Sequence, residues 1–324
     1  MTPAARVIFA RVRTMSTVAA LSAVAVSVIA SAFGASGTAS WQVWLAVAAL
    51  AAGIPHGAMD HLVTVPSMKV GKMALFVAVY LAVTGLAVVA IFTWSVVGFI
   101  GVVLMSAVHF GIGDAAFLRQ MAEDKSSKPR VPWAVYAFPA GFLPVMIPLT
   151  SSEADNALNL VNPSLRGWDQ GVGDVLWLVT LAAGAVGIIW LLLGGQRRDA
   201  LDLVALALLA LFTPPLVAFA VYFGLWHAQR HTARLVLEMP AAMARAEESA
   251  GSGFIKAVLP GIPALVGTLI VAVGLTWWTG GTLSADYLWV ILVIIWALTV
   301  PHMALTWRLD RQALSPPQEP ALQR

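Results

Sequence analysis

Long apolar runs separated by short polar connectors make up most of the chain, and each run is close to the ~20 residues a helix needs to cross a bilayer. They predict ten helices, at about 16–35, 41–62, 73–94, 95–118, 131–150, 173–195, 199–213, 214–236, 258–279 and 287–307. Only Pro214-Pro215 parts the seventh from the eighth. The runs are continuously apolar and do not alternate, which excludes a transmembrane β-barrel. The prediction is therefore all-α: a polytopic membrane helix bundle of about ten transmembrane helices. One unit covers 1–313, and a proline-bearing tail at 314–324 is expected to be disordered.

Composition agrees, with 60% hydrophobic residues, 11% charged residues and a mean hydropathy of +0.84. Charge adds orientation. Lys and Arg fall before the first span, at Lys69 and Lys72, from Arg119 to Arg130, at Arg197 and Arg198, between Arg230 and Lys256, and beyond Arg308. With ten spans all of these are cytoplasmic segments, and Arg166 alone breaks the pattern. Both termini are then cytoplasmic, and the expected location is the inner or plasma membrane, crossed many times. The net charge of +3 reflects topology and calls for no nucleic acid. Arg6, Arg11 and Arg13 precede an apolar run of about 18 residues, which is long for a cleaved leader and reads as a retained span. The absence of cysteine excludes disulfides, thiolate metal sites and thiol nucleophiles, so any metal must be held by nitrogen and oxygen.

All six histidines lie inside the apolar runs. They form four motifs: Pro55-His56-Gly-Ala-Met-Asp60-His61, His109-Phe-Gly-Ile-Gly-Asp114, Trp226-His227-Ala-Gln-Arg-His231 and Pro301-His302-Met303. The motifs occupy spans 2, 4, 8 and 10, which run in the same direction, each in its cytoplasmic part. That places them about 9 to 13 Å from the inner boundary at 1.5 Å per residue. An imidazole in hydrocarbon is costly without a partner or a metal. A lone one is commonly helix-to-helix glue, but six in one layer suggest a shared site.

His227 and His231, at i and i+4, share one helical face and suit two ligands on one metal. His56 and His109, on separate helices at similar depth, could complete a three- or four-nitrogen site. His56 and His61 lie about 140° apart around a helix and cannot easily bind the same ion. Asp60 is i+4 from His56 and could orient it. Asp60 and Asp114 are intramembrane carboxylates and functional by default, whereas Gly111 and Gly113 are most simply close-packing residues. Imidazoles without thiolates suit Zn, Cu, Fe or Ni. With no His-Glu-x-x-His motif for zinc hydrolysis, an oxygen-using iron is plausible. A site at this depth would draw a lipid, quinone or carotenoid from the bilayer.

These four motifs, in order over about residues 41–310 and extended at the third to Tyr222-Phe-Gly-Leu-Trp226, resemble the bacterial and archaeal Brp/Blh family. Its members are integral-membrane β-carotene 15,15′-dioxygenases. The resemblance implies Fe(2+)-dependent cleavage of the central double bond of β-carotene by O2, giving two all-trans-retinal, and a functional link to a retinal-binding rhodopsin. It implies His56, His109, His227 and His231 as iron ligands, with His61 and His302 beside them or on the substrate side. His56 is preferred over His61 because Asp60 shares its face. Tyr222 and Trp226 are candidate tunnel aromatics, equally well explained as core.

Two other classes compete. An intramembrane aspartyl protease would use Asp60 and Asp114, the latter in Gly111-Ile-Gly-Asp114, but leaves the histidines unexplained. A histidine-lined metal or proton transporter needs ionisable groups in both membrane halves, and the outer half has almost none.

Overall fold

A backbone in hydrocarbon must satisfy its N–H and C=O groups internally, and the apolar runs accordingly fold as helices. The computed structural model describes residues 1–34, 40–59, 63, 69–122, 131–278 and 285–315, and among these every regular element is helical. The elements are α1 (Pro3–Ala32), α2 (Ser40–Gly57), α3 (Val70–Thr93), α4 (Ser95–Met121) and α5 (Trp133–Leu149), followed by α6 (Ser152–Val161), α7 (Gly173–Leu193) and α8 (Arg197–Phe212). Next come α9 (Pro215–Ala220), a π-helical segment (Val221–His227) and α10 (Ala228–Glu238). The last are α11 (Pro240–Glu248), α12 (Ala250–Val258), α13 (Ile262–Trp278) and α14 (Ala285–Leu314).

Six stretches among the described residues are long and apolar enough to cross a membrane: Pro3–Ala32, Val70–Thr93, Ser95–Met121, Gly173–Leu193, Ala250–Ile270 and Trp289–Leu314. Trp133–Leu149 with Ser152–Asn159, bent by 69°, would be a seventh. The chain is thus a membrane helical bundle. The other expected spans are short or interrupted: α8 has 16 residues and opens on Arg197-Arg198-Asp199, and 215–238 is divided by the π segment.

Two sequence expectations change. The first helix starts at Pro3 and not near 16, with the Thr2 hydroxyl accepting from Ala5 N–H. Its early turns are held by tertiary packing: Phe9 stacks on Phe117 at 4.7 Å between centroids, and Ile8 and Val12 bury beside Val236. The connectors at about 151–172 and 237–257, expected as loops, contain α6, α11 and α12. Between α6 and α7, Leu165 and Trp168 bury against the bundle, the latter edge-on to Phe99 at 5.4 Å. The last described residues continue α14 through Leu314, and 316–324 lie outside the described residues.

Two apolar clusters flank the centre. One gathers Tyr136, Leu203, Leu206, Tyr222 and Trp226 from α5, α8 and the π segment, and the other joins Phe99 and Val103 of α4 to Trp289 and Val293 of α14. Helix α4 bridges them because it approaches α5 very closely. A Cβ on Gly111 would collide with the Ala137 carbonyl, and one on Gly141 with the Ala107 carbonyl. Backbone is the obstacle at both positions, so relief requires the helices to separate. Gly141→Ala is expected to lower stability by about 1–3 kcal/mol or more, read as a lower melting temperature in detergent. An unchanged melting temperature would show that this contact does not hold α4 in place.

Candidate metal centre

Four helical segments each deliver imidazole to one buried point. His56 closes α2 after the in-helix Pro55, His109 sits in α4, and His302 follows Pro301 in α14. His227 ends the π segment and His231 lies one turn later in α10. The π segment is local backbone chemistry: Ala228 N–H reaches five residues back to the Phe223 carbonyl, a widened turn that recurs at functional sites. Small residues on α2 let it approach. A Cβ on Gly53 would enter the Phe223 ring, one on Gly224 would meet Ala49 at 3.0 Å, and one on Gly57 would lie 3.7 Å from the His302 ring.

Ring centroids of His56 lie 5.6 Å from His227 and 5.1 Å from His231, those of His109 lie 5.1 and 6.5 Å from the same pair, and the pair is 6.1 Å apart. Imidazoles sharing one ion at ~2.1 Å have centroids roughly 5–6 Å apart. His302 stands inside the cluster, at 5.5, 5.3 and 5.7 Å from His56, His109 and His231. His61 and Asp60 lie outside the described residues.

Buried polar atoms are almost always hydrogen-bonded, yet His56 Nδ1, His109 Nε2, His227 Nε2 and His231 Nδ1 are buried without a partner. For His109 the tautomer can be argued. Thr306 Oγ1 is 3.3 Å from His109 Nδ1 and 3.1 Å from the His302 carbonyl. Where the hydroxyl gives its hydrogen to that carbonyl, it accepts from His109 Nδ1–H, and Nε2 is then the nitrogen with a bare lone pair. No three His, Asp or Glu side chains among the described residues stand in a closed coordination geometry. The fit to a metal therefore rests on the donor set: four bare imidazole nitrogens on neighbouring rings, which suit Fe, Zn, Cu or Ni.

The helix that carries the histidine pair is held by an adjacent face. Asp114 accepts from Trp226 Nε1–H and lies 3.6 Å from Arg230, whose guanidinium covers the Trp226 ring at 3.8 Å. Arg230 also pairs at 3.2 Å with the fully buried Asp202, which accepts from Arg13 at 2.9 Å and Thr17 at 3.1 Å. Farther along, Arg234 pairs with Asp310 at 2.6 Å and donates to Gln120 at 2.8 Å. Residues 226 and 230 thus anchor one face of the helix while 227 and 231, about 100° round its axis, face the histidine cluster. Asp114 is engaged in this network and is not among the residues that line the cavity described below.

An apolar cavity of about 1000 Å³ adjoins the cluster, with His56, His109, His227 and His302 in its wall. Its aromatic residues are Phe76, Tyr80, Phe110 and Phe223. Tyr222 and Trp226, the expected tunnel aromatics, point elsewhere: Tyr222 donates to the Ala140 carbonyl, and Trp226 faces Asp114. The sequence reading missed Thr306 and the Arg13–Asp202–Arg230 network. Thr306 did carry a signal, being i+4 from His302, whereas nothing local pairs α1 with α8.

Residues 47–310 match the family model described as beta-carotene 15,15′-dioxygenase. The chain is 28% identical over 297 residues to the probable beta-carotene 15,15′-dioxygenase Blh of Halobacterium salinarum, covering 82% of this chain and 84% of that one. It is 22% identical over 284 residues to a beta-carotene 15,15′-dioxygenase of an uncultured marine bacterium, covering 81% of this chain and 92% of the other. No solved structure matches.

Proposed function

The chain belongs to the beta-carotene 15,15′-dioxygenase family, and on that premise we propose that it is an iron-dependent oxygenase that splits the central double bond of β-carotene with O2. The two oxygen atoms end in two molecules of all-trans-retinal, so no external reductant is consumed. The observation that carries the reading is the set of four bare, buried imidazole nitrogens beside an apolar cavity of about 1000 Å³, at the upper end of ligand-sized cavities.

In this reading His56, His109, His227 and His231 hold Fe(2+), which when bound supplies the site of O2 activation. The other residues position and exclude. Thr306 holds His109 in the tautomer that turns Nε2 to the metal, and the Asp114–Arg230–Asp202 anchor fixes the rotation of the helix that aims His227 and His231. Phe110 and Phe223 line the cavity next to the histidines, where they keep water out and set which double bond of the polyene rests at the metal. His302 lies at the junction of cluster and cavity, suited to either side.

The proposal includes ten crossings with both termini cytoplasmic in the inner or plasma membrane. The shorter α5 and α8 and the 215–238 segment would be interior crossings, with Asp202, Arg230 and Arg234 paired inside the bundle, and α2, whose Trp41, Trp44 and Val47 are exposed, an outer one. Retinal would pass to a retinal-binding rhodopsin. In cells that make β-carotene, expression is expected to bleach the pigment and yield retinal, with iron co-purifying. Intact pigment beside folded, iron-loaded protein would sink the proposal.

A further inference from the structure

The cavity has two ends of different character. Its inner end is made by the buried His56, His109, His227 and His302. At its outer end lie Val77 and Leu81 of α3, Gly267 of α13 and Leu298 of α14, all exposed. Val77 and Leu81 stand about 12 and 18 Å along the helix from Lys69 at 1.5 Å per residue, within the ~30 Å hydrocarbon layer. In a membrane bundle this rim faces acyl chains, not water. Helix α13 packs on α2 and α3 packs on α14, and the cavity runs between these two pairs.

The wall also suits hydrocarbon chemically. Its Tyr80, Thr268 and Thr299 hydroxyls donate to the Leu298, Ala264 and Trp296 carbonyls, so the wall's polar atoms are largely turned back onto the helices. Gly267 differs from the close-packed glycines at the centre, because a Cβ there would meet nothing within 4 Å. Gly85 and Gly274 are equally open but do not line the cavity.

We propose that the gap between α3 and α13, with Gly267 on its rim, is a lateral portal through which a long apolar polyene slides from the bilayer to the histidine cluster. This rests on the carotenoid reading above, and it adds the route. A substrate taking this path never crosses the headgroup region.

The test uses the absence of cysteine from the chain, which makes Gly267→Cys the sole thiol. Folded protein in lipid nanodiscs is treated with a bulky apolar maleimide, and β-carotene uptake without O2 and cleavage with O2 are compared before and after labelling. Labelling is expected to lower both at least tenfold, with iron content and melting temperature unchanged, whereas labelled Gly85→Cys behaves as it did unlabelled. Gly267→Trp, which fills the rim without any reagent, is expected to lower both likewise, and uptake as fast as wild type with the rim so blocked overturns the portal. Wild-type protein that takes up β-carotene but does not cleave it overturns the functional reading and leaves the portal standing; neither uptake nor cleavage overturns both.

Discussion

Replacing His227 or His109 by alanine is expected to remove iron from the purified protein and to lower retinal formation by roughly 10³-fold or more. Losing one of four ligands forfeits several kcal/mol of metal-derived stabilisation, and each 1.36 kcal/mol is a factor of ten in rate. Each ring presents a buried nitrogen without a partner, so truncation should leave the bundle folded while deleting a donor. Thr306→Val is expected to lie between these variants and wild type, with metal affinity weaker by about 10–100-fold, because His109 loses only its hydrogen-bond partner at Nδ1. Iron by elemental analysis and retinal by chromatography check both. Full iron occupancy with lost activity in His227→Ala would remove His227 from the ligand set and give it a substrate-side role.

The second large effect concerns stability. Asp202 has no exposed surface and takes Arg13 and Arg230 together, so Asp202→Ala removes the carboxylate these two buried guanidinium groups share and leaves Arg13 with Asp199 and Arg230 with Asp114. Breaking a buried ion pair from one side costs about 3–5 kcal/mol, a large fraction of the margin by which most proteins are folded. We expect a much lower melting temperature in detergent and loss of iron, since Arg230 sits on the helix that carries His227 and His231. Asp202→Asn, which keeps an acceptor, should fall less far. Wild-type stability in Asp202→Ala would mean that the helix pair is aligned by apolar packing alone.

The histidines show how much could be read in advance. Their grouping in one layer was an expectation from hydropathy, since each motif falls in the same part of an expected span and the four expected spans run the same way. The i, i+4 pair needed only helical spacing. The structure places His56, His109, His227, His231 and His302 around one point, including a residue expected only at the margin. What spacing could not supply was rotation about the helix axis. Tyr222 and Trp226 precede His227 in the same motif and so seemed fit for a tunnel wall, yet the widened π turn and the Asp114 anchor present Phe223 to the cavity instead.

Helix starts were misread for a related reason. Arg13 looked like a cytoplasmic marker ahead of a span because hydropathy treats every charge as exposed, but it is buried within α1 and paired with Asp202, 189 positions away. By itself the sequence determined that this is a cysteine-free, all-helical membrane protein whose histidines lie in its apolar segments, because hydrophobicity and helical period are local properties. Only the tertiary structure decided which ring nitrogens are bare, which carboxylates hold the bundle and where the cavity opens, because each depends on contacts between segments far apart in the chain.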